Sequence, residues 1–215
     1  MRNMLTNVLF WFSISLGNIH TGYYVNEINS IWNYFPCIYP QIEVQKRDHF
    51  IYGVLLITPI IASFTSFMTG YYIKYSCRRL LILGNAIALL SWCILCIRHY
   101  AALYVGRVLR GIVTGIMSVT VPYFINEVTS TKFKLQWLGF IEQGIVMGYF
   151  FACLVRLVVP PIRIPENNEH EYCYSIEGQN LNWRYVFLFP IIPSIIQLVL
   201  LCFLFKTDAK SNFRK

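Results

Sequence analysis

The sequence predicts an all-α membrane protein of six transmembrane helices, and three observations carry that prediction. The 215 residues are 56% hydrophobic and only 13% charged, with a mean hydropathy of +0.51, too apolar for a domain whose whole surface faces water. Six windows of mostly apolar sequence run along the chain, each close to the roughly 20 residues that cross about 30 Å of hydrocarbon at about 1.5 Å per residue. The ten-residue alternation that marks a membrane β-barrel is absent from the sequence.

The first span covers about 5–25. Only Arg2 precedes it as a basic residue, no small-residue cleavage site follows, and it runs into polar Gly17-Asn18-Ile19-His20-Thr21-Gly22. It is therefore expected to be retained rather than removed as a signal peptide. A polar loop containing Cys37 leads to the second span, about 51–73, whose Ala62, Ser63, Ser66 and Gly70 suit close helix contact. The basic turn with Lys74, Arg78 and Arg79 precedes the third span, about 80–97, and Arg98-His99-Tyr100 separates it from the fourth, about 101–125. The fifth, about 135–158, stops at Pro160-Pro161. A polar, acidic loop through Cys173 then reaches the sixth, about 184–205. Pro190 and Pro193 predict a kink there, with the freed carbonyls satisfied by neighbours. Gly111-x-x-x-Gly115 and Gly144-x-x-x-Gly148 read as packing grooves.

The formal charge of +8 belongs to basic residues beside the spans, not to a long run or an amphipathic face, which argues for membrane topology and against nucleic acid. With the N-terminus inside, ten Lys and Arg fall on the cytoplasmic side: Arg2; Lys74, Arg78, Arg79; Lys132, Lys134; Lys206, Lys210, Arg214 and Lys215. Five fall outside: Lys46, Arg47, Arg98, Arg163 and Arg184. Both termini are therefore expected in the cytoplasm.

Arg107, Arg110 and Arg156 lie within spans, where one arginine near mid-bilayer costs about 2.5–3.5 kcal/mol and calls for a partner or a watery path. By helical rise, His20 sits roughly 22 Å from the inner face and Arg107 roughly 9 Å from the outer, which puts the two at nearly one level. Glu127 is about 30 Å of helix away from Arg107. It sits level with Arg78, Arg79 and Lys134 and suggests an inner charge cluster. For Arg107 two readings stand: pairing or a cavity role, and snorkelling to the outer interface. For His20 the readings are a titratable role and donation to a backbone carbonyl. For Gln143 they are a cavity contact and an ordinary interhelical hydrogen bond. No Ser/His, Asp/Asp or His/Glu set falls at matched depth with catalytic spacing, so no enzyme is expected. Neither cofactor nor metal is expected either: Cys93-x-x-Cys96 has no His or acidic neighbour. Cys37 and Cys173 both fall in outer loops, where a disulfide is chemically permitted.

The run Gly106-Arg107-x-x-x-Gly111, then Pro122-x-x-x-x-Glu127-Val128-x-Ser130, Phe133-Lys134 and Leu138-Gly139-x-x-x-Gln143-x-x-x-x-Gly148, resembles the fourth and fifth helices of the sugar porter family of the major facilitator superfamily. Thr21-Gly22, Gly70 with Arg78-Arg79, and Asn182-Trp183-Arg184 agree in order. The resemblance implies two six-helix halves rocking around a central sugar site, with this sequence corresponding to the N-terminal half. It implies a monosaccharide, hexose-like solute moved by alternating access. Gln143 becomes a sugar hydrogen-bond partner, with His20, Thr21 and Arg107 the other solute-site positions. Gly70, Arg78, Arg79, Glu127 and Lys134 become the cytoplasmic gate. The implied partners are the sugar, membrane lipid and a second half-transporter or another copy, and the implied location is the plasma membrane. A carrier for another small solute and a non-transporting half that associates with a full-length relative are the alternatives.

This sequence departs from the family pattern at several positions. Lys74 and Cys77 stand where an acidic residue and a glycine are usual, and Lys134 replaces an arginine. His20 stands where proton-coupled members carry Asp and facilitators commonly Asn. Glu142 is an added charge, and Lys206-Thr207-Asp208-Ala209-Lys210 takes the place of the signature after the sixth helix.

Overall fold

A computed structural model describes residues 2–31, 38–39, 44–73, 77–128, 134–158 and 183–204; at 2–11, 14, 29–31, 44–48, 127–128, 134–137, 158 and 203–204 only the backbone is described. The described residues are essentially all helical: α1 (Arg2–Ile31), α2 (Val44–Tyr72), α3 (Cys77–Leu95), α4 (Tyr100–Val128), α5 (Lys134–Val158), α6 (Trp183–Leu188) and α7 (Ile191–Leu204). Five segments among them are long and apolar enough to cross a membrane: His49–Tyr72, Cys77–Leu95, Tyr100–Asn126, Leu138–Leu157 and Trp183–Cys202. α1 is the least apolar of the long helices, and it carries Asn18, His20, Asn26 and Glu27. It also continues to Ile31, six residues past the span read from hydropathy. The polarity that ends an apolar window does not end a helix whose polar side chains are buried by neighbours.

Proline chemistry explains the break in the last span. Pro190 has no N–H, and its ring displaces the carbonyl four residues earlier, which is that of Val186. The Tyr23 hydroxyl donates to that carbonyl at 2.7 Å. Pro193 frees Phe189 O in the same way, and Ile192 N donates to it at 3.3 Å. The kink is present, and its carbonyls have partners.

α1 packs along α5, α2 along α4, and α3 along α4, while α7 lies against α1 and α3. Matching α1, α2 and α3 in order to α4, α5 and the α6–α7 pair maps the α1–α5 contact onto α4–α2, α3–α4 onto α7–α1, and α3–α7 onto itself. The described helices therefore have an internal two-fold pattern. Glycines set the closeness of its two long contacts. A Cβ on Gly111 would come within 2.7 Å of Ile61 Cβ and 2.8 Å of Thr58 O on α2, and one on Gly144 within 2.9 Å of Ser15 O on α1. Both glycine pairs are thus packing surfaces, as their spacing predicts.

Polarity is inverted relative to a soluble protein. Glu27, Asn85, Ser91, Arg107 and Arg110 are buried between helices, while Phe64, Phe67, Leu157 and Ile192 are exposed, which is the distribution of an integral membrane protein whose outer surface meets hydrocarbon.

Gly111→Val and Gly144→Val should each lower the detergent melting temperature by the equivalent of about 1–3 kcal/mol, the cost of overpacking a tight contact. Gly139→Ala should melt at the same temperature or higher, since nothing lies within 4 Å of that site.

Candidate functional site

The continuation of α1 to Ile31 carries Glu27 into the bundle, and the start of α4 at Tyr100 sets Arg107 two turns inside it. Their side chains meet: Arg107 Nη2 lies 2.8 Å from Glu27 Oε1, with the two side chains 2% and 0% exposed. The contact is coulombic rather than an aligned hydrogen bond, since neither atom makes a hydrogen bond of regular geometry. Depth arithmetic set Arg107 level with His20. The acidic partner lies seven residues, or about 10 Å of helix, beyond His20 on nearly the same face. The buried pair replaces snorkelling as the account of Arg107.

Arg110, one turn further along α4, is fully buried and, among the described residues, meets no carboxylate of its own. Its Nη2 donates to His20 O at 3.0 Å. Its guanidinium carbon lies 4.0 Å from the Trp92 ring centroid and 5.8 Å from that of Tyr24. The Trp92 ring face thus provides, through its quadrupole, part of the negative potential that hydrocarbon cannot. Among the described residues two arginines face Glu27, which leaves one positive charge in excess, so the aromatic face has electrostatic weight beyond packing.

His20 joins the same region through its ring. Its Nε2 lies 3.1 Å from Ser194 Oγ, and that hydroxyl also donates to Pro190 O at 2.8 Å. A hydroxyl has one proton, and it is committed to the kink carbonyl. Ser194 Oγ is therefore the acceptor, and the network assigns the proton of the pair to His20 Nε2. Asn85 Nδ2 donates to Ser194 O at 2.9 Å, and Thr58 Oγ1 donates to Arg107 O at 3.3 Å. Side chains from α1, α2, α3, α4 and α7 meet in one polar centre between the helices.

The remaining predicted positions lie elsewhere. Thr21 is half-buried beside His20, while Gln143 and Glu142 are exposed on α5, away from the Gly144 and Gly148 surface that packs on α1. Gly70 is exposed with nothing near it. Arg78 reaches the carbonyls of Leu201 and Cys202 at the end of α7, each at 3.5 Å, and Arg79 is exposed on α3. Glu127 lies in the last turn of α4 and Lys134 opens α5, but their side chains, together with Lys74, Cys37 and Cys173, lie outside the described residues. Sequence reasoning missed Glu27, Trp92 and Ser194 as members of the site. The available signal for Glu27 was its seven-residue spacing from His20, which hydropathy masked by ending the span at Val25.

Trp92→Phe keeps a ring face under Arg110, whereas Trp92→Leu removes it. Chemical or thermal unfolding in detergent should find the leucine variant less stable than the phenylalanine variant by about 2 kcal/mol, the scale of a desolvated cation–π contact.

Comparison with known proteins places this architecture. The sequence model of the family described as sugar (and other) transporter matches residues 4–207. Hexose transporter 1 of Plasmodium knowlesi is 26% identical over 94% of this chain and 41% of its own length. The proton myo-inositol cotransporter hmit-1.1 of Caenorhabditis elegans is 30% identical over 88% of this chain and 29% of its own. This chain therefore spans well under half the length of either relative. The xylose transporter XylE from E. coli, in an inward-open conformation, shares the fold with a TM-score of 0.73 at 16% identity, over 90% of this chain and 46% of that one. On the match across residues 4–207, the chain belongs to the sugar transporter family.

Proposed function

We propose that this chain forms the N-terminal, six-helix half of a transporter that moves a monosaccharide of the hexose type by alternating access. The observation that carries the reading is the family match along nearly all of the chain, joined to a helical unit like that of a solved sugar transporter. In this reading α1 is the first span and brings the number of spans to six, both termini lie in the cytoplasm, and residues 1–215 act as one transmembrane domain of the plasma membrane. The solute cavity lies between this unit and a second six-helix unit facing it. Hexose and myo-inositol transporters among the relatives support a polyhydroxylated solute.

Gln143 and Thr21 are the proposed solute contacts. Gln143 is exposed on α5, where its amide can both donate to and accept from sugar hydroxyls. His20 and Arg107, each 2% exposed, act behind that wall and fix the position of α1. Gly70, Arg78, Arg79, Glu127 and Lys134 form the proposed cytoplasmic gate, which opens and closes as the two units rock.

Full-length protein carrying this chain, reconstituted in liposomes, should take up labelled hexose. Gln143→Ala should reduce the specificity constant for uptake three- to ten-fold, the loss of one to two hydrogen bonds. Absence of hexose uptake, or a Gln143→Ala protein indistinguishable from the unsubstituted one, would reject the reading.

A further inference from the structure

The exposed surface of α5 divides into two stripes. Glu142, Tyr149, Cys153 and Arg156 are exposed at successive spacings of seven, four and three, so at about 100° per residue they share one face of the helix. Gln143, Met147, Phe150, Leu154 and Leu157 are exposed at similar spacings, about 100° further round. Gly144 and Gly148 lie on a third face, against α1. The first stripe is polar and carries two charges. The second is apolar beyond Gln143, and its Leu157 is 81% exposed.

Hydrocarbon can cover the second stripe but not the first. Arg156 sits in the last turn of α5, where a long basic side chain reaches the interface. Glu142 has no such route. It lies eight residues along α5, about 12 Å into a helix of about 37 Å, and its side chain is short. A carboxylate exposed to lipid at that depth is strongly disfavoured, so it faces a watery path or a partner group. The stripe also borders α1, because Asn26 Nδ2 donates to Cys153 Sγ at 3.3 Å. Packing does not account for Glu142, which is exposed, and it is the added charge relative to the family pattern. We propose that Glu142 is a solute-binding residue, its carboxylate facing the cavity and accepting hydrogen bonds from two neighbouring hydroxyls of one sugar ring. An ionised carboxylate is a pure acceptor with two oxygens, and a vicinal diol offers two donors side by side. Charge assistance makes such bonds roughly twice as strong as those to a neutral acceptor. Gln143, next in sequence and at nearly the same depth, gives a solute at that level a second polar contact. The inference rests on the proposed transport of a hexose and names the residue that recognises its hydroxyl pattern.

The test uses full-length protein carrying this chain in liposomes, with glucose and its single deoxy analogues competing against uptake of labelled hexose. For the unsubstituted protein, one analogue, or two that lack adjacent hydroxyls, should compete about five- to ten-fold less well than glucose, the loss of one charge-assisted hydrogen bond. Glu142→Gln should raise the KM for hexose about five-fold with kcat little changed, and should cut that discrimination to about two-fold or less. Glu142→Asp, which keeps the carboxylate, should retain part of it. A second measurement is independent of turnover: in a Cys153→Ser background, Glu142→Cys should react with a water-soluble thiosulfonate and be protected by hexose, while Phe150→Cys should not react. An unchanged analogue pattern in Glu142→Gln would overturn the assignment, as would Phe150→Cys reacting in preference to Glu142→Cys. A preference for glucosamine over glucose that vanishes in Glu142→Gln would mean an ion pair to a cationic solute, and also overturns it. Those results, obtained with hexose uptake intact, reject the assignment alone, whereas absence of hexose uptake by the unsubstituted protein rejects the transport proposal and the assignment together.

Discussion

Arginine placed among apolar helices needs a counter-charge or a polarisable face, and Arg107 and Arg110 impose that need on everything around them. Glu27 meets Arg107 at 2.8 Å, which requires α1 to continue past the point where its apolar window ends. Trp92 lies under Arg110 at 4.0 Å, which fixes how α3 is turned toward α4. The carbonyl of His20 takes the remaining Arg110 contact, and its ring then finds Ser194, which ties α1 to the broken end of the last span. Even the break has a place in this scheme: Tyr23, on the same helix as Glu27, caps the Val186 carbonyl that Pro190 displaces.

Electrostatic closure of this kind fits a unit that moves as one body. In the proposed transporter the half rocks against a facing half, and motion of that sort is efficient only if the moving part does not deform internally. Charges paired inside the unit move with it. The glycine contacts at Gly111 and Gly144 add steric fit to the same two helix pairs, while exposed Gln143 and Glu142 remain available to whatever faces them. In that proposal the polar centre stiffens the wall, and the solute contacts belong to residues in front of it.

Much of this was legible from residue order because the membrane simplifies the code. Hydropathy located the five strongly apolar spans, the small-residue spacing named both tight helix contacts, and the two prolines marked the break at residue 190. The sugar transporter family was visible in the spaced polar residues from Gly106 to Gly148. What escaped was lateral. Helical rise gives depth along one axis, and depth made His20 the natural level-mate of Arg107. It carries no information about which side of α1 faces α4, nor about helix that continues after hydropathy falls. Glu27 was hidden for that reason: a carboxylate after an apolar window reads as loop unless the cation that buries it is already known. Trp92 was hidden because an aromatic in an apolar span reads as core, and only the position of Arg110 gives its ring face a charge to meet.

The central claim, that Glu27 and Arg107 hold α1 and α4 together as a buried pair, is tested most directly by a double-mutant cycle on unfolding stability in detergent. Glu27→Gln and Arg107→Gln alone should each cost about 3–5 kcal/mol, because each leaves the other charge buried without its partner. The double variant should cost no more than one of them, which makes the two effects strongly non-additive. Single losses that sum to the double within about 0.5 kcal/mol would mean that the residues are uncoupled, and would contradict the account.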